Sequence, residues 1–291
     1  MSDNNAPAPA AWLRRLLFVE APASTPVPDK TAHADFVLSV LLRRRRGRSR
    51  AQFLRRLEQH ICATLAAGDY GLTALRLLSG VRMAAIPRFF LQLTRSHAYV
   101  AWLCGISGKP GPPPYRVSYG ALYDAVLHLK FAETPNRERL DAVLRLLAES
   151  TGGDAEREII ASDRQYTIYD AHSPSDERAR VSICFLVNRP PGMSRAACQR
   201  YWRNEHADLA LRNMRYLGLT RYLQVHTVEK PADGLADDLD GVVYAEKSSL
   251  TRLLLDLMKP DSFRFNNTVV MDETNFTFCT PIMLLKVLRS W

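Results

Sequence analysis

An α+β fold made of two tandem βαββαβ modules, packed sheet to sheet within one chain, is predicted by three observations in this 291-residue sequence. The first is a long-period internal match: residues 41–51, LLRRRRGRSRA, align without gaps to residues 186–196, LVNRPPGMSRA, at an offset of 145. Self-similarity at so long a period implies a duplicated unit. The second is that residues 123–126, YDAV, align to residues 239–242, LDGV, at an offset of 116, so the first copy holds 29 extra residues somewhere in 69–118. The third is that residues 163–170, DRQYTIYD, parallel residues 272–280, DETNFTFCT, ahead of a strand-like end in each copy.

The second copy reads most clearly by period. Val181 to Val187 is an apolar strand, and Gly192-Met193-Ser194 a turn with Ser194 as N-cap. A helix from Arg195 to about Met214 follows, with Cys198, Trp202 and His206 on one face and Arg195, Gln199 and Arg203 on a separate polar stripe. Gly218 to Val228 and Asp240 to Glu246 read as strands. A Leu-rich helix from Ser249 to Met258 is stopped by Pro260, and Phe276 to Val287 closes the unit as a fourth strand. This order is that of a ferredoxin-like module, which covers one sheet face with helices and leaves the other to be covered by a second sheet. The expected organisation is a flexible tail over 1–34, a worn module over 35–172, a linker over 173–180 and the better preserved module over 181–291.

Composition narrows the function classes. Five cysteines, at 62, 104, 184, 198 and 279, show no CxxC spacing and fit reduced thiols of a cytoplasmic protein. The apolar stretch 71–105 is interrupted by Arg76, Arg82, Arg88 and Arg95, so no membrane span is expected. The formal net charge of +9 is concentrated in the first half, where residues 43–95 hold twelve arginines and two acids. A solvated basic face is the expected reading, because the aromatic pattern with which related sheets stack RNA bases is missing; a nucleic-acid partner is not expected. Glycine-rich phosphate loops, a Gly-x-Ser-x-Gly elbow and a His-Glu-x-x-His helix are absent. His206 and His226 have no third ligand at a recognisable spacing, so no metal is assigned, and no local motif points to haem or another cofactor.

With the pieces Asn188 to Ser194, Tyr201-Trp202-Arg203-Asn204-Glu205-His206, Arg221 to His226 and Asp272-Glu273 with Phe276, the second copy resembles the EthD-type members of the dimeric α+β barrel superfamily. In the repeat alignment Leu57 faces Trp202 and Ile61 faces His206, with His60 one residue away, so the first copy has lost the motif. The resemblance implies an intrachain barrel and, in related proteins, cofactor-free cyclases, lyases and isomerases of aromatic or polyketide-like intermediates. His206 is then the expected general base, with Tyr222 and His226 as hydrogen-bond donors to a developing enolate. Trp202, Tyr201, Cys198 and Gln224 are the expected substrate contacts. Tyr222, Gln224 and His226 alternate along one strand and so share a sheet face. The expected partner is a small carbonyl-containing substrate. A non-catalytic binding or accessory protein is the alternative, and a homodimer is compatible with either.

Overall fold

The computed structural model describes residues 31–33, 36–45, 47, 49–81, 122–151, 155–171, 180–228, 239–278 and 280–290, with a few isolated positions between 16 and 103. The strands are β1 (Thr31–His33), β2 (Val37–Arg44), β3 (Leu72–Val81), β4 (Ala125–Phe131), β5 (Ala155–Ser162), β6 (Arg164–Asp170), β7 (Val181–Val187), β8 (Arg221–His226), β9 (Gly241–Lys247) and β10 (Ile282–Ser290). Between them lie helix α1 over residues 50–67, α2 (Arg137–Thr151), α3 over residues 195–212, the single turn α4 (Met214–Leu217), α5 (Leu250–Leu257) and α6 (Pro260–Glu273).

All ten strands belong to one antiparallel sheet in the order β1-β6-β8-β9-β7-β10-β3-β4-β2-β5. The curl of the sheet brings β5 close to β8. Only Asp163 separates β5 from β6, which pairs with β8, and the Val228 N–H donates to the Ala161 carbonyl at 3.1 Å. Side chains alternate across each strand, and the inward set forms one enclosed apolar core fed by eight strands, with Leu41, Leu78, Val126, Ile160, Cys184, Leu223, Tyr244 and Leu285 among its members. The outward set packs under helices: Leu38, Val40 and Leu127 beneath α1 and α2, and Tyr222, Val243 and Ala245 beneath α3.

Several local features recur at the positions matched in the sequence. Gly47 and Gly192 both adopt positive φ, at 86° and 85°, where a side chain would be strained. Ser49 and Ser194 then cap α1 and α3 through the backbone N–H groups of Gln52 and Ala197. The carboxylate of Asp124 accepts from the Arg44 N–H and pairs with the Arg44 and Arg50 guanidinium groups. Asp240 does the same with Arg189 and Arg195. Both helices also pass through a wide-wound π-type stretch, Leu57–Cys62 in α1 and Trp202–His206 in α3. The loop between β3 and β4 is 29 residues longer than that between β8 and β9, and most of it lies outside the described residues.

Several expectations change. Residues 31–33, expected in a flexible tail, pair as β1 with β6. Residues 163–170 do not correspond to 272–280: the former are β6, a strand beyond the fourth of the first half, and the latter are the end of α6 and a turn. Pro260 does not merely stop a helix but opens α6, because at the first helical position its missing N–H costs nothing. Arg195 and Gln199 face inward, toward Asp240 and the Thr227 and Asp240 carbonyls. Arg180, expected in a linker, is buried beside Glu246; residues 172–179 lie outside the described set. In the arginine run, Arg43 pairs with Glu156 and lies over Tyr123, and Arg44 and Arg50 serve Asp124. Among the described residues no helix is long and apolar enough to cross a membrane.

Gly241 marks a tight approach. A Cβ there would collide with the Val225 carbonyl oxygen and the Trp202 ring. Gly241→Ala is therefore expected to lower stability by about 1–3 kcal/mol, read as a shifted urea midpoint; an unchanged midpoint would show that α3 can lift away freely.

Candidate functional site

The outward face of β7 to β10 and helices α3 to α6 do not close on one another. Between them lies a largely apolar pocket with a cavity volume of ≈ 140 Å³. That is comparable with cavities of about 150 Å³ that accept one benzene ring. Its walls include Phe185, Trp202, Tyr222, Val243, Ala245 and Phe276, with His206, Glu273, Lys247 and Asp256 as its ionisable members.

His206 reaches this pocket from the π-type stretch of α3. Its Nδ1 lies 2.8 Å from Asp272 Oδ2. A carboxylate can only accept, so the Nδ1 carries the proton and the Nε2 lone pair is left for the pocket. The Nε2 has no hydrogen-bond partner among the described residues. Asp272 is itself held in place: its Oδ1 accepts from the Tyr201 hydroxyl at 2.7 Å and from Asn275 Nδ2 at 3.2 Å. Burial and the neighbouring Asp272 push the Tyr201 phenol upward, so it stays a donor. Phe276 packs on the imidazole with ring centres 4.9 Å apart.

Tyr222 faces the same pocket from β8. Its oxygen accepts from Gln224 Nε2 at 3.1 Å and from the Trp202 side chain. Burial pushes the phenol up to about 12, with the Gln224 and Trp202 bonds opposing, so at neutral pH Tyr222 keeps its proton. Its own O–H has no acceptor among the described residues. His206 and Tyr222 thus line one largely apolar pocket together.

The other expected residues stand behind that wall. His226 does not line the pocket: its ring stacks on Trp202 at 4.4 Å and 6°, meets Tyr166 edge-on, and its Nε2 bonds Gln224 Oε1. Gln224 donates to the Trp202 carbonyl as well as to Tyr222. Cys198 gives its thiol proton to the Phe276 carbonyl, and burial pushes that thiol up to about 12. Tyr201 touches Asp272, not the cavity. In the first half the equivalent helix face is filled by Leu57 and Ile61, both buried in its apolar core, while His60 is exposed. Asp272 belongs to a piece that carries the resemblance but had no assigned role, and Lys247 carries no recognisable local signal; each acquires its role only from a partner distant in the sequence. Among the described residues no group of three or more His, Cys, Asp or Glu side chains could hold a metal.

Burial also lowers His226 to about 3, helped by Arg203, and lowers His128, in the enclosed core between Ser39 and Gln165, to about 3 with help from Arg76. Both are neutral when folded and take up protons only on unfolding. Their stabilisation is complete above the unfolded value of 6.5 and is lost progressively as pH falls toward 3. At 1.36 kcal/mol per unit, the upper limit is roughly 5 kcal/mol per histidine. The melting temperature is expected to fall steadily from pH 7 to pH 5, before most carboxylates titrate, and less steeply in the His128→Gln/His226→Gln variant; identical slopes would contradict this origin.

Residues 190–250 match the EthD domain family. No curated protein matches the chain. Among solved structures, an anthrone oxidase-like protein is similar at 11% identity and a TM-score of 0.53, covering 90% of this chain and 96% of that one. A candidate monooxygenase from Fusobacterium nucleatum subsp. nucleatum is similar at 8% identity and a TM-score of 0.51, covering 89% and 94%. At such identities the likeness is one of fold, an α+β architecture with a large antiparallel sheet. The chain thus carries an EthD domain match over residues 190–250, within an α+β fold built on a large antiparallel sheet that it shares with these structures.

Proposed function

We propose that the chain is a cofactor-independent enzyme that removes a proton from carbon beside a carbonyl group in a small, largely apolar substrate. The observation that carries this reading is the His206–Asp272 pair on the wall of an apolar pocket that Tyr222 also lines. In the reaction, His206 Nε2 accepts the proton and the resulting imidazolium is stabilised by Asp272, as the Asp of a Ser-His-Asp triad stabilises its histidine. The electron pair of the broken C–H bond moves onto the carbonyl oxygen, where the Tyr222 O–H donates to it. Return of the proton at another carbon gives an isomerase. Attack of the enolate carbon on a second carbonyl gives a cyclase, and loss of water from that product a lyase. Aromatic or polyketide-like compounds suit the Trp202 and Phe276 walls.

The same reading treats the chain as two tandem ferredoxin-like modules, 35–172 and 181–291, closed as an intrachain dimeric α+β barrel. The N-terminal module is the structural partner, since Leu57 and Ile61 stand where Trp202 and His206 stand in the other. A binding or accessory protein is the second reading, favoured by the apolar wall. It leaves the ordered His206–Asp272 pair without a purpose.

Phenylacetone, whose benzylic C–H lies between a ring and a carbonyl, is a suitable probe. Deuterium uptake from solvent at that carbon, followed by NMR, is expected to exceed the buffer rate in the presence of the protein. Binding of phenylacetone without accelerated exchange would favour the accessory reading.

A further inference from the structure

The end of the pocket marked by Lys247 takes no part in the proton transfer, yet it is built as a site. Lys247 is on β9 with Ala245 and Val243, on the face that lines the cavity. Its ammonium is buried, with 5% of the side chain exposed. Nζ donates to the Leu217 carbonyl and to Asp256 Oδ2. An ammonium has three protons, and the third has no acceptor among the described residues. Leaving a buried charged donor unmatched is costly. Asp256 does not cancel the local charge, because it also binds Arg252 at 3.3 Å and Lys259 at 2.7 Å. Three cations therefore surround one carboxylate. Gly218, at a positive φ of 56°, makes the arrangement possible: a Cβ there would strike Asp256 and press on Lys247 Nζ.

We propose that Lys247 anchors an anionic group of the ligand, so that this pocket takes a carboxylate-bearing aromatic or keto acid with its acid group at Lys247 and its reacting carbon at His206. This rests on reading the pocket as the substrate site. Register supports the spacing. Tyr222 pairs directly with Ala245, and Lys247 lies two residues further along the strand, about 6.8 Å at the usual rise. With the strand spacing of about 4.8 Å added, Tyr222 and Lys247 are about 8 Å apart at the backbone, room for a ring that carries a short acid side chain. The apolar wall between them offers a carboxylate no other cation on that path, whereas Glu273 and Asp272 at the His206 end repel it, which fixes the direction of binding. Burial lowers the Lys247 ammonium and Asp256 opposes that; a bound carboxylate adds to the opposition.

The test is calorimetric titration of the full chain with phenylacetate and with phenylacetamide, its uncharged counterpart. The wild type is expected to bind the acid at least tenfold more tightly than the amide. Lys247→Met should abolish the preference and Lys247→Arg keep most of it, with melting curves recorded for both. Equal affinities in the wild type, no measurable binding of the acid, or a preference that survives in a folded Lys247→Met protein would each overturn the proposal. The wild-type comparison needs no variant. Failure here is distinct from failure of the proton-transfer reading, which is judged by exchange into phenylacetone, a compound with no acid group.

Discussion

Replacing His206 by alanine is expected to reduce protein-accelerated deuterium exchange into phenylacetone by roughly 10²–10⁴-fold, the usual contribution of a positioned general base. Affinity for the ketone should change little, because Trp202, Phe276 and the sheet face still line the cavity. Asp272→Asn isolates the second half of the argument. An amide can donate to Nδ1 and so favour the tautomer with its proton on Nε2, which has no lone pair for the substrate. Loss of roughly 10²-fold or more is expected by analogy with triads in which the same exchange traps the wrong tautomer. Tyr201→Phe removes one of the bonds that orient Asp272 and should cost far less. Tyr222→Phe should lower the rate while leaving the pH profile in place, since Tyr222 donates a hydrogen bond but does not titrate near neutrality. An exchange rate in His206→Ala equal to the wild type would remove His206 as the base, whatever the Asp272 variant does.

Glu246→Ala is expected to be the most damaging single change to stability, at about 3–5 kcal/mol. Glu246 is fully buried on β9, with Arg76 Nη1 of β3 at 2.6 Å and Arg180 Nη1 at 3.5 Å. The two strands belong to different halves of the chain, so the pair ties one half to the other. Deleting the carboxylate removes the charge that holds the Arg76 and Arg180 guanidinium groups together, and the desolvated repulsion between them is the source of the cost. A urea titration measures the loss. The triple variant Arg76→Met/Arg180→Met/Glu246→Leu should recover most of it, because an apolar set needs no compensating charge. If the single variant unfolds at the wild-type midpoint, water reaches the cluster and the charges are not desolvated.

Much of the architecture was legible because it is local or repeated. The apolar run at 181–187, the Gly192–Ser194 turn and cap, and the alternation in Arg221 to His226 all follow from short-range rules of period and capping. The matched positions Gly47 and Gly192, Ser49 and Ser194, and Asp124 and Asp240 were legible because each does a backbone or charge-pairing task that tolerates few substitutes. The failures have equally specific causes. Proline stops a helix and suits a first turn equally well, so Pro260 alone does not reveal α6 or the placement of Asp272 on it. Residues 163–170 were matched to 272–280 on composition. The chain instead uses them to extend β5 past Asp163 and close the sheet against β8, and no periodicity within a strand names its neighbour.

By itself the sequence determined which residues lie on which face: Trp202 and His206 together on α3, Tyr222 with Gln224 and His226 on β8, and the loss of that pattern at Leu57 and Ile61. Only the tertiary structure decided which members of a face meet a cavity. Trp202 covers His226 and Gln224, so two residues that share a strand face with Tyr222 become support for the wall. Asp272 arrives from 66 positions away to orient His206, and Lys247 becomes a buried cation with one proton unmatched among the described residues only once Leu217 and Asp256 fold over it. The physical reason is that face membership follows from the geometry of one element, whereas proton placement, desolvation and access depend on groups brought together by packing between elements.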